Sequence, residues 1–155
     1  MVINLLAVGN KMPDWVNKGF TEYARRLSAD CRLKLIEIAP LKRTKNADLS
    51  RIKIHEGERL LEAIPKGARV VAMEVQGKSW NTEQLSGQLH TWMHSGQDIA
   101  LLVGGPEGLS DECRARADEK WSLSPLTLPH PLVRIVVSEQ LYRAYSILKN
   151  HPYHR

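Results

Sequence analysis

Short apolar segments, separated by amphipathic or turn-rich stretches, constrain this chain more than any other feature. VINLLAV (Val2 to Val8), RLKLIEI (Arg32 to Ile38), ARVVAMEV (Ala68 to Val75) and IALLV (Ile99 to Val103) read as strands, the last as a buried one. Between them the apolar spacing turns helical. Val16, Phe20, Tyr23 and Leu27 share one face of a helix expected over Pro13 to Leu27, with Pro13 and Asp14 suited to its first turn. Leu49, Ile52, Leu60, Leu61 and Ile64 do the same over Ala47 to Ile64, although Gly57 weakens the middle. Leu85, Leu89, Trp92 and Met93 define a third helix from Thr82 to near Gly96. Strand and helix thus alternate throughout, the pattern of an α/β fold with a mostly parallel sheet and helices on both faces. No internal repeat, linker or low-complexity tract interrupts it, so residues 1–155 are expected to form a single domain.

The stretch from Ile99 to His154 carries the strongest local signals. After the Ile99 strand, Gly104, Gly105, Pro106 and Gly108 make a turn that lets a ligand approach the backbone closely. Ser110, Asp111 and Glu112 are helix-start residues. Ser122 to Leu128 reads as a second buried segment, leading through Pro129-His130-Pro131 into Leu132 to Lys149. That last segment is rich in β-branched residues but has no breaker over a length beyond that of ordinary strands, so a helix is expected. Its apolar residues fall on more than one face, which points to burial on nearly all sides and to a partner subunit.

At 155 residues and 43% hydrophobic, the chain has enough core to fold alone. No apolar run reaches the length of a membrane span, and the N-terminus lacks a secretory pattern. Cys31 and Cys113 stand alone, which suggests a reducing compartment and hence the cytoplasm. A net charge of +5 permits a polyanionic partner without demonstrating one.

Several familiar chemistries are disfavoured. The glycine turn is neither GxGxxG nor a P-loop; Gly77-Lys78-Ser79 lacks the upstream glycine, and no GxSxG elbow exists. A doubly wound oxidoreductase and a serine hydrolase therefore have little support. His90 and His94 have a spacing that metals use, but no third ligand is evident, and Pro152 breaks the interval between His151 and His154. No metal is expected. The basic loop Lys42-Arg43-Thr44-Lys45, with Lys11, Lys18, Arg25 and Arg26, is either ordinary solvated surface or part of a phosphate-contacting face. In the tail, Tyr153 and His154 combine stacking and proton-transfer groups; the plainer alternative is a tail packed on its own subunit.

GGPEGLS, WSLSPLTLPHPLVRIVVSEQLYRAYSI and NHPYHR, in that order, resemble the SPOUT-class methyltransferases, most closely the RlmH family. VGNKMPDWV and KNAD extend the likeness over essentially the whole chain. The resemblance implies a C-terminal trefoil knot, which general rules of chain topology would have argued against. It also implies a homodimer, S-adenosylmethionine as methyl donor, and methylation of a pseudouridine N3 in large-subunit ribosomal RNA within an assembled ribosome. By position it assigns the cofactor to Met73, Gly104 and Gly105, and to the loop of Leu123, Ser124, Pro125, Leu126, Thr127 and Leu128. Met73 stands where the family pattern has leucine, a nearly neutral exchange on an apolar wall. The reaction needs loss of the N3 proton and alignment of nitrogen, methyl and sulfur. Tyr153 and His154 are candidates to stack on or polarise the base, and Arg143 to stabilise an imidate or hold phosphate. The competing reading is a non-catalytic ribosome-associated factor that keeps the fold. Retention of both glycines, the SLSPLTLPHP loop and the HPYHR tail favours the enzyme.

Overall fold

The computed structural model describes residues 1–155. Five strands, β1 (Val2–Val8), β2 (Arg32–Ile38), β3 (Arg69–Ser79), β4 (Ile99–Val103) and β5 (Glu119–Ser122), form one sheet in the order β2-β1-β4-β3-β5. Every neighbouring pair is parallel. The helices are α1 (Asp14–Ala24), α2 (Leu49–Ala63), α3 (Thr82–His94), α4 (Asp111–Arg116) and α5 (His130–Leu148), with a 3₁₀ turn at Pro152–His154.

Crossover direction decides which helix covers which face. The connections β1–α1–β2 and β3–α3–β4 step one way along the sheet and carry their helices on one face. The connections β2–α2–β3 and β4–α4–β5 step the other way and cover the opposite face. A single handedness of crossover requires this alternation. Side chains of the interior strand β1 point alternately to the two sides. Ile3, Leu5 and Ala7 meet Phe20, Leu89 and Trp92 of α1 and α3, whereas Leu6 and Val8 meet the side of Leu60 and Cys113. Helix α5 packs against α1 and α3 and adds Val137, Leu141, Ala144 and Tyr145 to the larger core. Helix starts follow local chemistry: Asp48 caps α2, Ser110 caps α4, and Asn81 with Gln84 forms a capping box on α3.

Four boundaries differ from the sequence expectation. Helix α1 ends at Ala24, and Leu27 enters the core from the turn that follows. Strand β3 runs past Val75 to Ser79, because residues 74–77 bulge before Lys78 and Ser79 rejoin β5. Ser122 to Leu128 is not a buried segment: β5 lies just upstream, and 123–129 is an irregular loop whose Leu126 is 74% exposed. Helix α5 begins at His130, two residues early, since Pro131 suits a first helical turn.

Candidate functional site

In open α/β sheets ligands sit beyond the carboxyl ends of the strands, where successive connections leave in opposite directions. Here that switch point lies between β1, whose chain departs toward β2, and β4, whose chain departs toward β5. The crevice is plugged by the molecule itself. Arg134 of α5 is fully buried; its guanidinium donates to the Gly9 carbonyl just after β1 (3.0 Å), to Glu37 of β2 (2.8 Å) and to Nε2 of His130 (3.2 Å). Nδ1 of His130 lies 3.3 Å from the Gly104 carbonyl just after β4. A polar relay therefore crosses the carboxyl edge of the sheet from β2 to β4. Arginine can only donate, so Nε2 of His130 must accept, and Nδ1 must carry the hydrogen that Gly104 receives. Burial, and then the Arg134 charge, hold the His130 pKa below the ordinary histidine value, consistent with a neutral ring.

Beside this plug, over β4, β3 and β5, a cavity of ≈ 930 Å³ opens. One wall is the glycine turn, a second the loop 123–129, a third the β3 bulge. Met73, Gly104, Gly105, Leu123, Ser124, Leu126, Thr127 and Leu128 all line it; of the sequence-assigned cofactor residues only Pro125, at the loop's outer bend, does not. The loop is set locally: Ser122 Oγ donates to the Ser124 carbonyl (3.0 Å), and Ser124 Oγ accepts from the Leu126 amide (3.0 Å). The amides of Thr127 and Leu128 donate to no other group of the chain. Apolar walls with a few free backbone donors suit a heteroaromatic ligand. Glu74 and Arg114, paired with each other across the rim, give the cavity a polar end.

The turn is tight. A Cβ on Gly104 would lie 2.5 Å from the Gly108 backbone, so the close approach, not ligand space alone, requires glycine there. Gly108 itself has φ +83°. A Cβ on Gly105 would point away from the ligand space, toward Glu56 Oε1 (2.9 Å) and Arg43 Nη2 (3.0 Å). Arg43 explains that side. It donates to Glu56 of α2 and to Glu107 of the turn, both at 2.8 Å, while the Leu41 amide also donates to Glu56. The Arg43 hydrogen bonds hold the Glu107 carboxyl below its usual pKa. Arg43 is thus committed inward and does not belong to a phosphate-contacting face. Arg25 and Arg26 are likewise engaged, both with Glu22, and Arg26 also lies over the Tyr23, Tyr142 and Tyr153 rings.

The tail residues gather with one another but not at the cavity of their own chain. Asn150, with φ +56°, ends α5 in a left-handed cap, and the His151 amide returns to the Ser146 carbonyl (2.8 Å). The chain then folds back so that Tyr153 stacks near Tyr142 and its hydroxyl donates to Glu139 (3.0 Å). Arg143 shares that carboxylate (2.5 Å). Glu139 lies on α5 about 13 Å along the axis from His130. Burial, and then the Glu139 hydrogen bond, push the Tyr153 phenol up to about 12, so it is a donor at neutral pH and not a base. His154 Nδ1 sits 2.8 Å from the His151 carbonyl, which leaves Nε2 unprotonated in the neutral ring.

His90 and His94 stack at the surface, ring centroids 4.2 Å apart. No three His, Cys, Asp or Glu side chains gather as a metal site. No helix is long and apolar enough to cross a membrane. His130, Arg134 and the bulge residues Glu74 to Gln76 were missed by sequence reasoning; the Pro129-His130-Pro131 motif was visible, but its hydrogen-bond partners were not.

A family model described as "Predicted SPOUT methyltransferase" matches residues 1–154. The chain belongs to the SPOUT methyltransferase family. It is 63% identical to the ribosomal RNA large subunit methyltransferase H of Thioalkalivibrio sulfidiphilus, over 100% of this chain and 99% of that protein. Identity is 61% to the protein of the same name from Hahella chejuensis, with the same coverage. Among solved structures, TrmJ of Z. mobilis superposes with a TM-score of 0.52 at 18% identity, covering 92% of this chain and 68% of that one. A putative methyltransferase from Legionella pneumophila, in complex with SAM, gives 0.50 at 13%, covering 94% and 66%. At such identities the structures support the SPOUT fold alone.

Proposed function

We propose that this SPOUT protein transfers the methyl group of S-adenosylmethionine to N3 of a pseudouridine in large-subunit ribosomal RNA, in the assembled ribosome. The full-length similarity to large-subunit methyltransferases H supports the substrate. The cavity between the glycine turn and loop 123–129 carries the cofactor reading, because its walls fit the group. Leu123, Leu126 and Leu128 offer apolar faces to adenine, the free amides of Thr127 and Leu128 offer donors to ring nitrogens, and the tight backbone turn at Gly104 and Gly105 forms the wall against which the remainder lies. When bound, the sulfonium supplies an already activated methyl group, so the protein's tasks are alignment and removal of the N3 proton. His130 has both ring nitrogens engaged and cannot take that proton. Tyr153, its hydroxyl held by Glu139, offers a stacking surface, the Arg143 guanidinium stabilises the imidate or holds phosphate, and the unprotonated Nε2 of His154 is the acceptor.

Those tail groups reach a cavity only across a homodimer. The α1–α5 surface supports one, because the apolar side chains of Trp15 and Leu132 stand 54% and 40% exposed there. A cytoplasmic location and a trefoil knot formed by the return of the chain from edge strand β5 to the centrally placed α5 complete the proposal. Calorimetry with S-adenosylmethionine and methylation of ribosomes lacking the modification test it. Wild-type protein should bind and methylate. Protein lacking residues 152–155 should bind nearly as well and not methylate. A truncated protein that methylates at the full rate removes the tail from the chemistry; a stable, fully active monomer removes the dimer.

A further inference from the structure

The relay that fills the switch-point crevice ends on one wall of the cavity, and the tautomer of a single ring fixes its direction. We infer that His130 is a positioning residue for the cofactor: as the Nδ1–H tautomer imposed by Arg134, it holds the Gly104 carbonyl back against α5 and so sets the width of the site. This rests on the cofactor reading of the cavity and adds to it a residue that does no chemistry.

The geometry leaves the Gly104–Gly105 peptide little other support on that side. His130 itself lines the cavity, and its hydrogen bond is the connection recorded between the Gly104 carbonyl and α5. The opposite side of the turn is already fixed by Arg43 through Glu107. Releasing the His130 bond would let the peptide swing into the space between the turn and Leu128, and the cofactor would have to push it back.

Protonation would break the other end of the relay, at Arg134, and leave the Nδ1–H donor to Gly104 in place. A charged imidazole carries hydrogen on both nitrogens, so Nε2 would face the Arg134 Nε–H donor-to-donor and cation-to-cation. The charged groups facing the ring are Arg134 from its own helix and Glu37 from β2, the latter already bonded to Arg134; β1 presents Gly9 and the β4 turn presents the Gly104 carbonyl. The neutral ring is favoured in the fold, so the Arg134–His130 bond is intact at neutral pH and is lost as pH falls through a folded-state value below the ordinary histidine one, whereas the bond to Gly104 survives in either state.

Two substitutions separate the ring's two hydrogen bonds. His130→Gln places an amide where Nε2 was, keeping an acceptor for Arg134 and losing the donor to Gly104. His130→Asn places one where Nδ1 was, keeping that donor and losing the acceptor. Each loses one bond, so melting temperatures should be similar. Affinity for S-adenosylmethionine, measured by calorimetry from about pH 5.5 to 8, should weaken roughly two- to tenfold in His130→Gln. It should be restored to within about twofold by His130→Asn, at acid as well as neutral pH, because the donor to Gly104 is present in the wild-type ring in either protonation state. In single turnovers the Gln variant should show a raised half-saturating cofactor concentration with an unchanged maximal rate. The ¹⁵N spectrum of the ligand-free protein, with the His130 signal identified by its loss in the variants, should show Nδ1–H. An Nε2–H tautomer, or equal affinity of His130→Gln and wild type at every pH, overturns the inference. Failure of the wild-type protein to bind at any pH overturns the cofactor reading, and this inference with it.

Discussion

Arg43 and Arg134 hold the glycine turn after β4 from opposite faces of the sheet, and they do so with different chemistry. Arg43 stands between two carboxylates, Glu56 and Glu107, so its cluster carries one positive and two negative charges. Arg134 has one carboxylate partner, the partly exposed Glu37, and otherwise bonds a carbonyl and an imidazole. The first anchor is electrostatic and includes a buried acid; the second works by placing donors. Removing either arginine harms the turn, but the two losses should respond to pH in different windows.

Arg134 should be the costlier loss. Arg134→Ala opens a hole in the packing and strands Gly9, Glu37 and His130 at once, which should cost about 3–5 kcal/mol in urea denaturation at neutral pH. Arg134→Lys should recover little, because an ammonium cannot span three separate acceptors in one plane. A loss under about 1 kcal/mol would mean the crevice closes by other means.

Arg43→Met should cost about 2–4 kcal/mol, discounted because the pair is partly solvated. The pH dependence sharpens the contrast. In the wild type the Glu107 carboxyl is held below its usual pKa, so its contribution is present at neutral pH and is lost as pH falls through the folded-state value. In the variant Glu56 and Glu107 face each other without a cation, and protonating either relieves the repulsion. The stability gap between wild type and Arg43→Met should therefore narrow from pH 7 toward pH 4, whereas the Arg134→Ala gap should begin to narrow already in the histidine range, because the Arg134 charge is one cause of the lowered His130 pKa. Parallel pH curves for the two variants would break the distinction.

A smaller effect is expected at Gly105. Its added methyl presses on Glu56 and Arg43, so Gly105→Ala should cost about 1–3 kcal/mol and should be non-additive with Arg43→Met. Additive costs would place the methyl in the ligand space after all. Smallest in stability is deletion of residues 152–155, which removes the Tyr153 hydrogen bond and stacking for about 1 kcal/mol and touches neither anchor. Thermal denaturation should register that change as minor.

Much of the scaffold could be read from the chain. The bounds of β1 and β4 coincide with apolar runs, because interior strands in a parallel sheet covered on both faces need apolar residues throughout, and the edge strand β2 was legible from Leu33, Leu35, Ile36 and Ile38 among charged neighbours. Ser110 announced α4 by its capping chemistry. Loop 123–129 misled, since its leucines look like core residues and instead wall a cavity. The bulge at Glu74 left no periodic mark, and only Gly77, whose Cβ would lie 2.7 Å from the Lys120 and Trp121 backbone, hints at a close approach. The cofactor loops were legible because they are contiguous. The Arg134–His130 relay was not, because it joins residues from α5 to Gly9, Glu37 and Gly104, far away along the chain. Arg43 looked like solvated surface for the same reason: its carboxylates come from α2 and from the glycine turn.

The strand order has a consequence for how the molecule is made. The interior strand β1 is synthesised first among these elements, yet one of its two neighbours, the central strand β4, follows almost a hundred residues later in the register Ile3 to Ile99. Helix α5, which completes the larger core, emerges later still. A nascent chain halted before His130 would lack Val137, Leu141, Ala144 and Tyr145, and the core that α1 and α3 share with the sheet would stay open on the side α5 closes. Pairings of such long range form slowly and leave sticky intermediates. Folding is therefore an event that follows synthesis, and an interrupted chain is a client for chaperones, with no working half to show for the part already made.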